Sequence, residues 1–162
     1  MKEEYTFVML KPDTLHRGLE SEVFEYFLGE GLRMPLMTES HLTHGLVAEH
    51  YSHVPDDVQD ALHEYFDDED VVVGVLEGED AVSRTRQIVG DDFRPEKNST
   101  GTIRGDAHNP ESPLYSEEPN YDSEIADDRG IPLYNFIHAS GDFEEAQEEI
   151  RRFLGPQALN YL

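Results

Sequence analysis

The chain alternates between two kinds of apolar pattern. Tyr5-Thr6-Phe7-Val8-Met9-Leu10 is β-rich and apolar on both faces, the signature of a central strand covered on both sides, and Pro12 ends it. Val71-Val72-Val73-Gly74-Val75-Leu76 predicts a second buried strand. Between them, Leu19, Val23, Phe24, Phe27 and Leu28 recur at helical spacing and stop at Gly29 and Gly31. Leu32 to Leu42 alternates weakly, as an edge strand does, and residues 43–66 predict two short helices broken near Val54-Pro55. A further helical stripe runs through Ala81, Val82, Thr85, Ile88 and Val89. From 91 to 130 all periodicity is lost among Gly, Pro, Asn, Asp and Ser, predicting a long loop; loops beyond about 15 residues in a compact domain tend to be functional or disordered. Order resumes with a predicted strand at Leu133–Ile137. A last helix follows, with Asp142 and Glu145 as a capping box and Phe143, Ala146, Ile150 and Phe153 as its apolar stripe.

The element order, β-α-β-αα-β-α-loop-β-α, predicts an α/β or α+β sandwich: a small sheet of four strands covered by helices. At 162 residues the chain fits one domain, 1–162, with 107–130 as a loop insertion, and no internal repeat is visible.

Charge changes the picture. Thirty-six Asp and Glu against 12 Lys and Arg give a net charge of -24, which excludes a nucleic acid or anionic membrane bound by charge alone. The acids are spread over the whole chain and only three cations are Lys, so the excess is a property of the entire surface. We read it as adaptation to a high-salt cytoplasm, where a Debye length of roughly 3 Å at 1 M screens self-repulsion. No stretch has the length and apolarity of a membrane span, and Met1-Lys2-Glu3-Glu4-Tyr5 lacks the layout of a signal peptide, so a cytoplasmic location is expected. Without Cys, a metal would be held by oxygen or imidazole, with hard cations expected.

Few residues stand out for chemistry. His138 falls at a predicted strand-to-helix junction, and Glu149 lies on the inward arc of the last helix with Ala146, Ile150 and Phe153. A carboxylate facing a core is rarely left unpaired, and His138 is the nearest candidate partner. Lys11, Arg86 and Arg104 sit at element ends in a chain poor in cations, a pattern that suggests a bound polyanion. His41, His44, His50 and His53 are close enough in sequence to mimic a metal site, but no recognisable motif ties them to a carboxylate, so solvated surface is expected. The acidic run Asp67-Asp68-Glu69-Asp70 lacks the alternating oxygens and Gly of a calcium loop and reads as a solvated turn.

Taken together, Lys11-Pro12-Asp13 at the end of the first strand, Gly101-Thr102-Ile103-Arg104-Gly105-Asp106, and Asn135-x-x-His138-x-Ser140 before a capped helix resemble the nucleoside diphosphate kinase family, from about Tyr5 to Phe153. The resemblance implies a ferredoxin-like βαββαβ four-stranded antiparallel sheet, assembly as a homo-oligomer, usually hexameric or tetrameric with the hexamer expected here, and transfer of a γ-phosphate from a nucleoside triphosphate to a nucleoside diphosphate through a phosphohistidine. Mg²⁺ is implied as the cofactor, carried by the nucleotide phosphates with no protein ligand. Residue by residue it implies His138 as nucleophile, Glu149 as the acid that orients it and Ser140 as support for that pair. Lys11, Arg86 and Arg104 would hold phosphates, Asn135 with Lys11 would bind the ribose, Tyr51 would lie beside Lys11, and Arg17 would brace the site. Asn135 and His138 are three residues apart, so a regular strand would send them to opposite faces; both serve one site only if the backbone turns between them.

The chain departs from the family pattern in three places. Val58, with Leu62, stands where an aromatic usually stacks on the base; a Thr that usually contacts phosphate appears as Asp92 or is displaced within Gly90 to Pro95; and the segment from Arg104 to Asn135 is about twenty residues longer than in the common form, as in some archaeal relatives. Tyr115 and Tyr121 offer anchors in that longer segment, which is expected to reach a neighbouring subunit. The first two departures motivate an alternative reading, a low-activity nucleotide-binding or regulatory relative. A third, an acidic structural or nucleic-acid-mimicking protein, accounts for the charge but for none of the motifs.

Overall fold

The computed structural model describes residues 3–161. Four strands, β1 (Glu3–Leu10), β2 (Arg33–His41), β3 (Asp70–Glu79) and β4 (Ile137–Ala139), form one sheet in the order β2-β3-β1-β4. Every neighbouring pair is antiparallel. The two sequences that read as apolar on both faces are thus the two central strands, and the weakly alternating one lies at an edge.

Period-two geometry divides the central strands between two cores. Phe7, Met9, Val71, Val73 and Val75 face one side, with Val47, Phe66 and Ile150 from the helices α3 (His44–His50), α4 (Asp56–Phe66) and α7 (Phe143–Leu154). Val8, Leu10 and Leu76 face the other, with Val23 and Phe27 of α2 (Glu20–Gly29) and Ala81 and Val89 of α5 (Ala81–Val89). A short helix, α1 (Pro12–His16), follows β1 directly: Pro12 both stops the strand and opens a helix, since its fixed φ suits a first helical position.

The segment expected to be a structureless loop is ordered. It makes 3₁₀ turns at Pro95–Lys97, Gly105–His108 and Pro119–Tyr121, then a helix, α6 (Ser123–Arg129), whose Asp122 cap accepts from the amides of Glu124 and Ile125. Ile103, Ala107, Leu114 and Tyr121 from this segment are fully buried in the α2/α5-side core. Tyr121, expected as an anchor toward a neighbouring subunit, is therefore spent inside its own chain, its ring stacked at 4.8 Å on Phe136. Short turns of this kind carry no hydrophobic period, which is why the sequence pattern misses them.

The strand expected at Leu133–Ile137 is displaced. Residues 131–136 are irregular, β4 spans Ile137–Ala139, and His138 lies inside it rather than past its end. Phe136, at φ +72°, adopts a left-handed conformation uncommon for a bulky residue and interrupts what composition reads as strand. The expected capping box of α7 is half as drawn: Asp142 accepts the amide of Glu145 at 2.8 Å, whereas Glu145 reaches the amide of Gly141 at 3.2 Å.

Candidate active site

The left-handed turn at Phe136 sets the geometry of the site. Its amide donates to Asp13 Oδ2 (3.1 Å), and its carbonyl accepts from Thr14 Oγ1 and from the amide of Lys11, both at 2.8 Å. Asp13 is buried and also receives the hydroxyls of Tyr65 (2.7 Å) and Tyr121 (3.0 Å). Lys11-Pro12-Asp13 at the exit of β1 is thus the scaffold on which the backbone turns between Asn135 and His138. That turn meets the condition the three-residue spacing imposes.

His138 sits on β4 with Glu149 of α7 beside it. Nε2 lies 2.6 Å from Glu149 Oε2, and Ser140 Oγ donates to the other carboxylate oxygen at 2.5 Å. Glu149 and Ser140 are buried while His138 is half-buried. Although burial opposes its ionisation, Glu149 is held below the usual carboxylate range by its bonds with His138 and Ser140. A carboxylate only accepts, so Nε2 carries the proton and the lone pair is left on Nδ1.

Lys11 Nζ donates to Asn135 Oδ1 at 2.8 Å, and the Asn135 amide nitrogen donates to the carbonyl of Phe93 at 2.9 Å. Burial, and then the Arg104 charge, push the Lys11 ammonium down to about 7 against the opposite pull of Asp13. Arg104 is buried and donates to the carbonyls of Gly90, Asp92, Ile137 and, at 3.4 Å, Asn135. Four of its five N–H groups are thereby committed, so it acts here mainly as a brace and a positive field. Its setting requires Gly105, where an added Cβ would lie 2.0 Å from the carbonyl oxygen of Ser99. Arg86 donates to the carbonyl of Ala139 at 3.3 Å, next to His138 in β4, and its Nε lies 3.7 Å from Asp91. Arg17 donates to the carbonyls of Leu114 and Tyr115 and to the Tyr121 hydroxyl and lies over the Tyr121 and Phe136 rings, so it ties the 107–130 segment to the Asp13–Phe136 turn.

Arg94 and Arg152 were not singled out from the sequence, and His50 was expected on the solvated surface. Arg94 grips Asp92 through two nitrogens, each at 2.8 Å, and holds that carboxyl well below its usual range. His50 is buried with its ring perpendicular to His138 at 5.1 Å, and its Nδ1 accepts from Arg152 at 2.9 Å. Burial, and then the charge of His138, push His50 down to about 3, so it stays neutral. The adjacency of Arg94 to the anomalous Asp92 was a usable signal; nothing in the pattern flagged Arg152.

His138 opens on a cleft of about 520 Å³ that is also bordered by His50, Tyr51, Glu49, Glu145 and Glu148. The Tyr51 ring packs on His50 and Phe66. Val58, 43% exposed, and half-buried Leu62 lie one turn apart on α4. Among the described residues, no helix is long and apolar enough to cross a membrane.

Among the carboxylates near these groups, Asp13 is committed to two hydroxyls and an amide and Asp92 to Arg94, while Glu49, Glu145 and Glu148 border the cleft. The four clustered histidines do not act as a group. His50 is buried beside His138, contrary to the solvated surface expected of it, whereas His53 is exposed and His41 and His44, exposed as expected, pair with acids of the 67–70 turn.

The sequence model of the family described as "Nucleoside diphosphate kinase" matches residues 4–159. The chain belongs to the nucleoside diphosphate kinase family. Among relatives of that description, the protein of Pyrococcus furiosus is 33% identical over 157 residues, covering 96% of this chain and 86% of the relative. That of Pyrococcus horikoshii is 34% identical, covering 96% and 88%. A solved Borrelia burgdorferi nucleoside-diphosphate kinase, a transition-state mimic with bound vanadate and ADP, superposes with a TM-score of 0.79 at 26% identity, covering 93% of this chain and 86% of its own. The β2-β3-β1-β4 sheet is thus the ferredoxin-like sheet expected of the family.

Proposed function

We propose that this kinase works by a ping-pong mechanism through a phosphohistidine at His138. The observation that carries the reading is the 2.6 Å bond from Nε2 to buried Glu149, which leaves the Nδ1 lone pair as the nucleophile. Nδ1 attacks the γ-phosphorus of a nucleoside triphosphate, the bond to the β–γ bridging oxygen breaks, and its electron pair leaves with the nucleoside diphosphate. The positive charge that develops on the imidazole is stabilised by Glu149, itself held by Ser140. In the second half-reaction a terminal oxygen of the acceptor diphosphate attacks phosphorus, the P–N bond breaks, and the lone pair returns to Nδ1.

Lys11 and Arg86 supply the mobile positive charge for the phosphates as the loose transition state forms, with Arg104 adding its field from behind. Lys11 and Asn135, already joined, suit the ribose hydroxyls, and Tyr51, Val58 and Leu62 form the side toward the base. Asp92, neutralised by Arg94, borders the phosphates without repelling them. Mg²⁺ carried by the substrate phosphates would screen their charge. The reading extends to a high-salt, archaeal-type, cytoplasmic homohexamer that binds neither nucleic acid nor membrane, consistent with a net charge of -24.

Incubation with ATP labelled at the γ-phosphate should yield an acid-labile, alkali-stable phosphoprotein that discharges to any nucleoside diphosphate. His138→Ala should lose both the label and turnover. A variant retaining a tenth of the wild-type rate contradicts the mechanism. The low-activity alternative draws on the commitment of Arg104 to four carbonyls, and a wild-type kcat far below about 1 s⁻¹ would favour it.

A further inference from the structure

The acidic run 67–70 joins α4 to β3, and four histidines close on it. His16 meets Glu69 at 3.0 Å, and His41 meets Asp70 at 2.9 Å. These two lie at the surface, and the other two histidines form a cluster with one acid. His44 Nδ1 lies 2.6 Å from Asp67 Oδ2 and His63 Nδ1 lies 2.8 Å from Asp67 Oδ1, so the two oxygens of one carboxylate each face an imidazole. The two rings stack 3.9 Å apart, 18° from parallel.

Protons and a metal ion compete for that arrangement. Two stacked imidazolium ions repel each other, and a single carboxylate cancels one of the two charges. With both rings neutral, each donates its Nδ1–H to one oxygen of Asp67, and loss of those two protons frees both nitrogens as ligands. A dication satisfies all three groups at once. One donor atom from each of His44, His63 and Asp67 lies within 4.8 Å of the other two. Around a tetrahedral ion with bonds of about 2.0–2.2 Å, donor atoms stand roughly 3.3 Å apart, so the present contacts need to open by about half an ångström. His44, whose side chain is 72% exposed, is free to make that shift, while His63 and Asp67 are 16% and 28% exposed and fixed one turn apart on α4.

We propose that His44, His63 and Asp67 form a site for a borderline divalent transition-metal ion, of which Zn²⁺ is the type, separate from the Mg²⁺ that enters on the nucleotide. Two imidazoles and one carboxylate suit zinc, cobalt or nickel, whereas magnesium and calcium prefer all-oxygen sites. Three protein ligands leave the exposed side of His44 for a water as fourth ligand. The ion joins the first residue of α3 to the last turn and cap of α4, and so closes the open end of the helical hairpin.

The test uses the full chain, freed of metal with a chelator and then titrated with Zn²⁺ by calorimetry in nucleotide-free buffer, with Co²⁺ absorption as a second readout. We expect one equivalent bound, a Co²⁺ spectrum of tetrahedral intensity, and no displacement by a large excess of Mg²⁺. His44→Ala and Asp67→Asn, which alter exposed or half-exposed side chains and leave the fold intact, should each weaken binding at least tenfold; His63→Ala should do the same. His138→Ala should leave it unchanged, which separates this site from the His50–His138–Glu149 group. No Zn²⁺ binding by the wild-type chain would overturn the proposal. So would binding lost in His138→Ala but retained in His44→Ala and Asp67→Asn.

Discussion

The carboxylate of Asp13 holds the backbone amide of Phe136, 3.1 Å away across 123 residues of sequence. This bond helps to keep Phe136 at φ +72°, the turn between Asn135 and His138. Asp13→Ala removes the acceptor from that amide and from two tyrosine hydroxyls. Each unsatisfied buried group costs about 1–3 kcal/mol, so a loss of at least about 3 kcal/mol is expected in urea unfolding. An unfolding midpoint within experimental error of wild type would show that the turn is held by other contacts.

Glu149→Gln tests the orientation of the nucleophile. A Gln amide can offer either a donor or an acceptor to Nε2, so the tautomer with the lone pair on Nδ1 loses its preference. We expect kcat to fall by about 10²- to 10⁴-fold, with the KM for nucleotide little changed. Ser140→Ala removes one bond to the same carboxylate and should cost much less. Single-turnover phosphorylation measures both, and equal losses in the two variants would refute the ranking.

Lys11 gives a pH dependence with a definite sign. Its ammonium, pushed down to about 7, is charged below that pH and neutral above it in the free enzyme. A bound phosphate favours the charged form, so nucleotide binding at about pH 8 should take up about one proton, and much less at about pH 6. Calorimetry of ADP binding in buffers of differing ionisation enthalpy reads this uptake directly. Lys11→Arg should abolish it, and wild type without uptake at the higher pH would rule it out.

His50 acts on stability instead. Its pKa of about 3 in the fold lies below the value of 6.5 for a free imidazole, so between those values the unfolded chain binds the extra proton. Stability from this group is present above about pH 6.5 and is lost as the pH falls toward 3. The slope of unfolding free energy against pH over that window should be shallower in His50→Gln. An unchanged slope would assign the acid sensitivity to other groups.

Salt addresses the charge of -24. The Debye length contracts from roughly 30 Å at 0.01 M to roughly 3 Å at 1 M, which confines repulsion among the acids while short contacts such as Arg94 with Asp92 persist. The Tm of the ligand-free protein should rise with KCl between about 0.1 M and 2 M. A flat profile would mean that the acidity serves some other purpose.

What the sequence disclosed depended on period. β1 and β3 were legible because burial on both faces makes unbroken apolar runs, and Glu149 because it falls on the stripe of α7 that Ile150 and Phe153 define. The 91–130 segment was opaque because its order comes from 3₁₀ turns and from contacts such as Arg17 with the carbonyl of Tyr115, 98 residues away. The turn at Phe136 was opaque for a related reason. A β-forming aromatic is held in a left-handed conformation by Asp13 and Thr14, whose role appears only when β1 and β4 lie side by side. The spacing of Asn135 and His138 nevertheless required such a turn, so the constraint was readable even where its means was not.

The bonds that build the site join the two ends of the chain: Lys11 to Asn135 across 124 residues, Asp13 to Phe136 across 123 and Thr14 to Phe136 across 122. Contacts of such separation form after local ones, since their loop-closure entropy must be met first. A growing chain that has released β1, β2 and β3 still lacks the proposed nucleophile His138, its partner Glu149 and Asn135, which binds Lys11. The proposed site therefore assembles only once residues 135–149 have docked on β1, and a copy that lacks them cannot complete it.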